Sequence, residues 1–338
     1  MSYAAAKTQL SGAFAVSAHP KVSVCMVTYQ HAPYIGQAIE SVMAQQVDFS
    51  VELVIGEDCS PDNTREIIEG FQQRYPGRIR LVTGEHNVGA QPNFIRTYQA
   101  CRGQYIAMLE GDDYWVDPHK LRDQVALLDQ EPCAVLCFAD CAAVNARGQV
   151  TNELFVPSAY RRNLSAQELV RDFCPPTLTV LFRNHLLPSL PDSFAVICNG
   201  DYFLFSMLSD FGGAVFVPRV VAHYRQHDGG VWSSQTLERK YRNNLNTRRA
   251  LLQYFGSRNH AEIMLAVNWY YVQLLTMLRQ QKRWGEFWRM YEEFTWLSIK
   301  ALNKELPGFT LRLLTGRLKS SILTPTPTPA NLSDPYSR

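Results

Sequence analysis

The sequence predicts an α/β protein, a mostly parallel central sheet flanked by helices, and three observations predict it. Short apolar runs suited to buried strands alternate with segments of helical period from residue 22 to residue 82. The ends of the apolar runs are polar in a concentrated way, at Thr28-Tyr29-Gln30, Glu57-Asp58-Cys59-Ser60 and Glu110-Gly111-Asp112-Asp113. A chain of 338 residues, 46% hydrophobic and 12% aromatic, can fill the core that such a fold needs.

Val22–Val27 reads as the first buried strand, with Thr28–Pro33 as its loop. Ile35, Ile39, Val42 and Met43 then recur at helical spacing up to Gln45-Gln46. Val51–Gly56 forms a second strand. Pro61-Asp62-Asn63-Thr64 starts a second helix, Arg65 to Tyr75, with Asp62 as its cap and Pro76-Gly77 as its stop. Ile79–Val82 is the third strand, and Tyr105–Leu109 is another, running straight into the carboxylates Glu110, Asp112 and Asp113. Ala134–Phe138 reads as a further buried strand, so Cys133, Cys137 and Cys141 are taken as small core residues and not as metal ligands.

Composition excludes several classes. Eight cysteines without a C-x-x-C pair suit reduced thiols. Residues 1–20 lack the apolar core of a secretory signal, and Ile263–Leu278, interrupted by Asn268 and Gln273, falls short of a membrane span. A cytoplasmic location follows as the expectation. Between Gln235 and Ser320 there are 15 Lys or Arg against 6 Asp or Glu, a balance of +9, while the rest of the chain has 18 against 25, or −7. This basic third, rich in tryptophan, reads either as a helical cap packed on the core or as a face that meets anionic lipid. Nucleic acid is not expected as a partner, because the acidic cluster would repel a phosphate backbone and no reader motif is present.

Three carboxylates at one strand end repel one another unless a cation or a set of donors meets them. A strand end outside a parallel sheet is where open α/β folds place ligands, so a divalent metal carrying a phosphorylated ligand fits the pattern. Neither G-x-G-x-x-G nor a P-loop follows the first strand, which leaves the nucleotide to be held by other means.

In their order, V-S-V-x-x-x-T-Y, then Tyr34-Ile35 and Glu40-Ser41-Val42, then E-D-C-S, Asn87-x-Gly89 and L-E-G-D-D-Y-W resemble the family 2 inverting glycosyltransferases of the GT-A fold, over Lys21 to Ser233. The resemblance implies transfer of one sugar from a nucleoside diphosphate sugar, UDP-linked, to a glycan or lipid-linked acceptor in bacterial surface-polysaccharide synthesis. It implies that Asp58 accepts a hydrogen bond from the base, that Thr28 and Tyr29 line that base and that Asn87 belongs to the same nucleotide site. It also implies that Asp112 meets the ribose and that Asp113 binds Mg²⁺ or Mn²⁺. Glu110 stands where many members have Asp and is expected to support the loop. Gln30 and Glu57 depart from the family's usual Asn and Asp, and neither is assigned a contact.

Asp201, ahead of the apolar run Tyr202–Leu208, matches the family's general base, although Asp at a helix start also serves as a cap. The stretch Val220–Ser233 reads as a mobile, phosphate-facing loop in which Arg225 clamps the diphosphate and His227 reaches the metal or a phosphate. The Q-x-x-R-W string of processive members is absent. Gln280-Gln281-Lys282-Arg283-Trp284 has shifted spacing, and packing accounts for Trp284.

The expected organisation is a flexible segment 1–20, a transferase domain 21–234 divided at 115/116 into nucleotide-binding and acceptor halves, a basic helical extension 235–320 and a Pro-rich tail 321–338. The extension could bring the enzyme to the inner face of the cell membrane. Two other readings stay open. A nucleotidyltransferase shares paired acids and a metal but would show a glycine-rich phosphate loop after the first strand, and a non-catalytic glycan-binding scaffold would not need Asp113 and Asp201 together.

Overall fold

Strand β1 (Val22–Thr28) lies inside the sheet because Val22, Val24 and Met26 on one face and Ser23 and Cys25 on the other are all buried, as a parallel strand between helix layers requires. It is followed by α1 (Ile35–Met43), β2 (Val51–Glu57), α2 (Thr64–Arg74), β3 (Ile79–Val82), α3 (Ala90–Ala100) and β4 (Tyr105–Glu110). Helix α1 turns Ile35, Ala38, Ile39 and Val42 into the core. The computed structural model describes residues 19–300 apart from Asp172, Pro188, Val231 and Ser233. The expected N-terminal segment is almost wholly outside the described residues, as are the end of the basic extension and the Pro-rich tail.

The parallel pairing β3-β2-β1-β4 sets Thr28 opposite Glu57 and Val27 opposite Glu110. That register brings the three polar strand ends to one edge of the sheet. Beyond β4 come β5 (Tyr114–Trp115), α4 (Lys120–Gln130), β6 (Ala134–Asn145), β7 (Val150–Asn152), α5 (Ala166–Arg171), β8 (Leu181–Arg183), α6 (Gly200–Leu208) and β9 (Gly213–Gln226). The sheet order is β3-β2-β1-β4-β8-β6-β9-β5, with β7 on β6; β8 pairs antiparallel with β4 and β6, so the sheet is mixed.

Two expectations change here. Val220–Gln226, read as loop, is the second half of β9, where it pairs with β6 and, at Ala222-His223, with β5. The β-branched Val220-Val221 suits a strand, and the polar residues after it alternate faces. Cys137 and Cys141 are buried in β6 as expected, whereas Cys133 is exposed at its start.

The C-terminal helices are α7 (Leu237–Phe255), α8 (His260–Gln280) and α9 (Trp284–Lys300). Leu251, Phe255, Ile263, Val267, Tyr271 and Leu274 of α7 and α8 share one core cluster with Phe203 and Phe205 of α6. The basic helices thus cap the core. Trp284 is 49% exposed, so packing does not account for it.

Candidate active site

Loops leaving β1, β2 and β4 meet above the sheet edge. Two of them carry a non-glycine residue in the left-handed region, Gln30 (φ 57°) and Cys59 (φ 56°), an unusual backbone state that over-determined loops tolerate at functional positions. The Gln30 amide donates to Ser60 Oγ (3.0 Å), and Ala32 N–H donates to Asp62 Oδ2 (3.1 Å), which ties the first loop to the second. Glu57 is buried and structural: its carboxylate accepts from Ser60 N–H at 2.6 Å and from Thr83 Oγ1 at 3.0 Å.

Asp58 is almost fully enclosed. It accepts the Val88 and Gly89 amides at 3.0 and 2.9 Å and Arg96 Nη2 at 3.2 Å, and Asn87 Nδ2 donates to its carbonyl at 3.1 Å. Of the roughly four acceptor positions of a carboxylate, three are therefore taken, leaving one for a ligand. Thr28 is buried with Oγ1 3.2 Å from His31 Nδ1, while Tyr29 is 39% exposed.

The acidic turn after β4 separates its carboxylates. Asp112 Oδ2 lies 3.0 Å from His227 Nε2 and 3.6 Å from His31 Nε2, and one ligand atom from each of these three residues falls within 4.8 Å of the others. Burial alone would raise Asp112, but the hydrogen bond from His227 and the neighbouring charge of His31 outweigh it and hold the carboxylate low. Burial lowers His31, favouring the neutral imidazole that a metal needs. Two imidazoles and a carboxylate fit a divalent ion, and mixed nitrogen and oxygen ligands suit Mn²⁺ better than Mg²⁺, which prefers oxygen.

Asp113 is placed differently from the expected metal ligand. It is buried, stands outside that trio, and its Oδ1 accepts the Arg225 amide at 2.7 Å, so it pins β9 to the acidic turn. Burial, then Asp112 and Glu110, push its carboxyl well up. Arg225, expected to clamp the diphosphate, lines the cavity and is held by several protein groups. Its guanidinium lies between Tyr34 and Tyr114 and donates to the Asp112 carbonyl (3.0 Å), the Ala146 carbonyl (3.2 Å) and Gln37 Oε1 (2.7 Å). Gly111 is required at the turn, because a Cβ there would stand 2.5 Å from Thr28 Oγ1.

On the opposite wall Asp201 occupies the first turn of α6, where the helix N-terminus favours a carboxylate. Oδ1 accepts the Tyr202 amide at 2.7 Å, and Oδ2 accepts Thr177 Oγ1 at 3.2 Å with Cys174 Sγ at 3.7 Å. Burial raises its pKa. Between the two walls, Glu110 is buried with Oε2 unpartnered, and burial followed by the charges of Asp112 and Asp201 pushes it up to about 8. Thr28, Tyr29, Asp58, Asn87, Asp112, Asp113, Asp201, Arg225 and His227 all line one cavity of about 830 Å³. His31 and Arg248 line it too and were not singled out by the motifs, although His31 stands only three residues past Thr28 in the same loop.

The model of the family described as Glycosyl transferase family 2 matches residues 23–186. Over that segment, just under half of its length, the chain is similar to that family. An uncharacterized Mycobacterium tuberculosis protein, Rv1520, is 34% identical over 219 residues, which are 65% of this chain and 62% of the relative. Among solved structures, S. aureus TarS in complex with UDP-GlcNAc is similar over 75% of this chain and 71% of that one, with a TM-score of 0.56 and 19% identity. The mannosyltransferase PcManGT from Pyrobaculum calidifontis, in complex with GDP-Man and Mn²⁺, is similar over 94% of this chain and 85% of its own, with a TM-score of 0.56 and 16% identity. These likenesses show the GT-A fold. The family match contains the β1, β2 and β4 loops, while Asp201, His227 and the α7 wall lie beyond it.

Proposed function

We propose that this chain transfers a single sugar, with inversion, from a nucleoside diphosphate sugar to a hydroxyl of a glycan or lipid-linked acceptor in the synthesis of a cell-surface polysaccharide. The observation that carries the reading is the opposition, across one cavity, of the His31–Asp112–His227 trio and the Asp201 carboxylate. UDP is the nucleotide we favour, supported by the UDP-GlcNAc complex of TarS.

Asp58, Asn87, Thr28 and Tyr29 would hold the nucleoside, with the free acceptor position of Asp58 turned to the base. His31, Asp112 and His227 would hold the divalent ion, which neutralises charge on the departing diphosphate when bound. Asp201 would take the proton from the acceptor hydroxyl as its oxygen bonds to the anomeric carbon and the bond to the diphosphate breaks. Its raised pKa suits that work, since a base poised nearer the operating pH accepts a proton more effectively. Among the described residues no helix is long and apolar enough to cross a membrane, so contact with a lipid-linked acceptor would be peripheral and through α7–α9.

Turnover of UDP-sugars with Mn²⁺ tests this in two variants. Asp201→Asn should lower transfer by about 10²- to 10⁴-fold with Mn²⁺–UDP affinity unchanged, the range expected for loss of a general base. Asp112→Ala should lose Mn²⁺-dependent UDP affinity. An Asp201→Asn enzyme of near wild-type rate would remove the base assignment.

A further inference from the structure

Arg248 of α7 is 3% exposed and lines the cavity on the Asp201 side. Its guanidinium packs against the rings of Tyr202 and Tyr270, at 4.3 and 4.7 Å from their centroids. Tyr202 directly follows Asp201, and the cation and the proposed base line the same cavity. Nη1 donates to Asn244 Oδ1 at 3.1 Å and reaches the Asn244 carbonyl at 3.4 Å, while Nε is buried without a partner. Among the described residues no carboxylate pairs with it.

Several arginines of the region behave differently. Arg242 and Arg283 pair with Glu238, Arg249 with Glu293 and Arg258 with Asp210, all at more exposed positions. Arg248 is buried, so it is the cation of this region that would gain most from a counter-ion, and no ion pair among the described residues supplies one. An unpaired buried charge is costly, and a site that keeps one is complete only when an anion arrives. With two tyrosine rings against it and Nε unpartnered, the guanidinium keeps an N–H edge for a ligand, the geometry that matches phosphate oxygens. Lys240 and Asn244 precede Arg248 by two turns and one turn on the same face of α7, and both line the same cavity.

We propose that this face of α7, centred on Arg248, is an anion subsite that takes a phosphate group carried by the acceptor. The inference rests on the transferase reading for the word acceptor: the donor diphosphate belongs to the trio on the opposite wall, and Arg248 stands where the attacking hydroxyl meets its base. An acceptor bearing a phosphate ester would thus be aligned by its charge before its hydroxyl reaches Asp201.

The test uses the full chain in EDTA, which removes metal-mediated phosphate binding, and follows binding of octyl phosphate, glycerol 3-phosphate and octyl glucoside by calorimetry. Wild type should bind the phosphate esters and not the neutral glucoside. Arg248→Met should weaken that binding by roughly 30-fold or more, as for the loss of one partner of a buried charge pair, and His227→Ala should leave it unchanged. Preference for octyl phosphate would place the phosphate on a lipid carrier, and preference for glycerol 3-phosphate on a polyol backbone; either supports the subsite. Equal binding by wild type and Arg248→Met, binding lost in His227→Ala alone, or no phosphate binding by wild type would overturn it. Should Arg248→Met fail to fold, Arg248→Lys keeps charge and bulk but not the planar fork, and undiminished phosphate affinity there would overturn the role of the fork. Mn²⁺–UDP affinity is measured in parallel. Its absence in wild type, with Arg248-dependent phosphate binding intact, would sink the nucleotide-sugar reading and leave the subsite standing.

Discussion

The sheet-edge rim and the α6–α7 wall of the same cavity treat their charges in opposite ways. On the rim, Asp58 accepts two amides and an arginine, Asp113 accepts the Arg225 amide, and Asp112 meets two histidines. Across the cavity, Arg248 Nε has no partner, nor has Glu110 Oε2 between the walls, and Asp201 is held by a hydroxyl, a thiol and its neighbour's amide. The rim is organised by the protein itself, so a nucleotide meets donors and acceptors already in place at little reorganisation cost. The wall is incomplete without a ligand, which is how a site reports the charge of what it awaits.

The strongest way to break this contrast is to disorder the rim without touching a carboxylate. Gly111 lies against Thr28, where an added Cβ would stand 2.7 Å from the Thr28 Cβ and 3.1 Å from His31 Nδ1. Gly111→Val should push the β1 and β4 loops apart and lower donor turnover about 100-fold, the penalty of a misplacement on the order of 1 Å. Near wild-type turnover would show that the rim tolerates displacement and that its hydrogen bonds are not what positions the metal-capable trio.

The wall can be sharpened through Thr177. This residue donates to Asp201 and so favours the ionised carboxylate, against the burial that raises its pKa. Thr177→Val removes the donor, raises the Asp201 pKa further and moves the acid limb of kcat/KM to higher pH, with the high-pH plateau little changed. An unmoved limb would mean that Asp201 is not the group whose deprotonation that limb reports.

The alternation of the first three strands and two helices was legible because each element carries its own period, and register alone then gathers Thr28, Asp58 and Asp112 at one edge. Their convergence with His227 was legible only through a family pattern. Which carboxylate joins the two histidines was not legible: Asp112 and Asp113 are adjacent and identical in type, and the amide of Arg225, 112 residues on, engages Asp113. His31 was hidden for the same reason, since its value depends on a left-handed Gln30 and on a strand from the far end of the domain. Val220–Gln226 read as loop because charge and glycine were weighed above its β-branched start. Arg248 looked like one more cation of a basic helix; burial and the carboxylate partners of Arg242 and Arg249 set it apart from them.

A pillar beneath both regions offers a smaller effect. Lys120 is fully buried, donates to Gln124 Oε1 at 2.8 Å and lies 4.3 Å from the Trp115 ring, while Trp115 Nε1 and Gln124 Nε2 donate to the Leu178 and Thr179 carbonyls next to Thr177. Burial lowers Lys120 to about 7. Between that value and the ordinary lysine range the unfolded chain holds a proton that the folded one lacks, so stability rises with pH across this window. Relative to Lys120→Met, wild-type unfolding free energy should climb by up to about 1.4 kcal/mol per pH unit above pH 7. Parallel urea-unfolding curves for the two proteins from pH 7 to pH 9 would show that Lys120 stays protonated in the fold.

The smallest expected effect lies outside the cavity, on the outer face of α9, where neither the rim's order nor the wall's incompleteness applies. Trp284, Trp288 and Trp296 are 49, 51 and 62% exposed at spacings of four and eight residues, and the nearby acids Glu286 and Glu293 are paired with Arg283 and Arg249. Glu292, four residues from both Trp288 and Trp296, puts one exposed acid on the same face, but indoles at that spacing suit the headgroup layer of a bilayer. Trp284→Ala/Trp288→Ala should weaken co-sedimentation with phosphatidylserine vesicles at low salt by about threefold to tenfold and leave Mn²⁺–UDP affinity unchanged. Equal sedimentation of the double variant and wild type would free α9 from any membrane role. The path of a lipid-borne phosphate to Arg248 would then have to run past another face of α7 and α8.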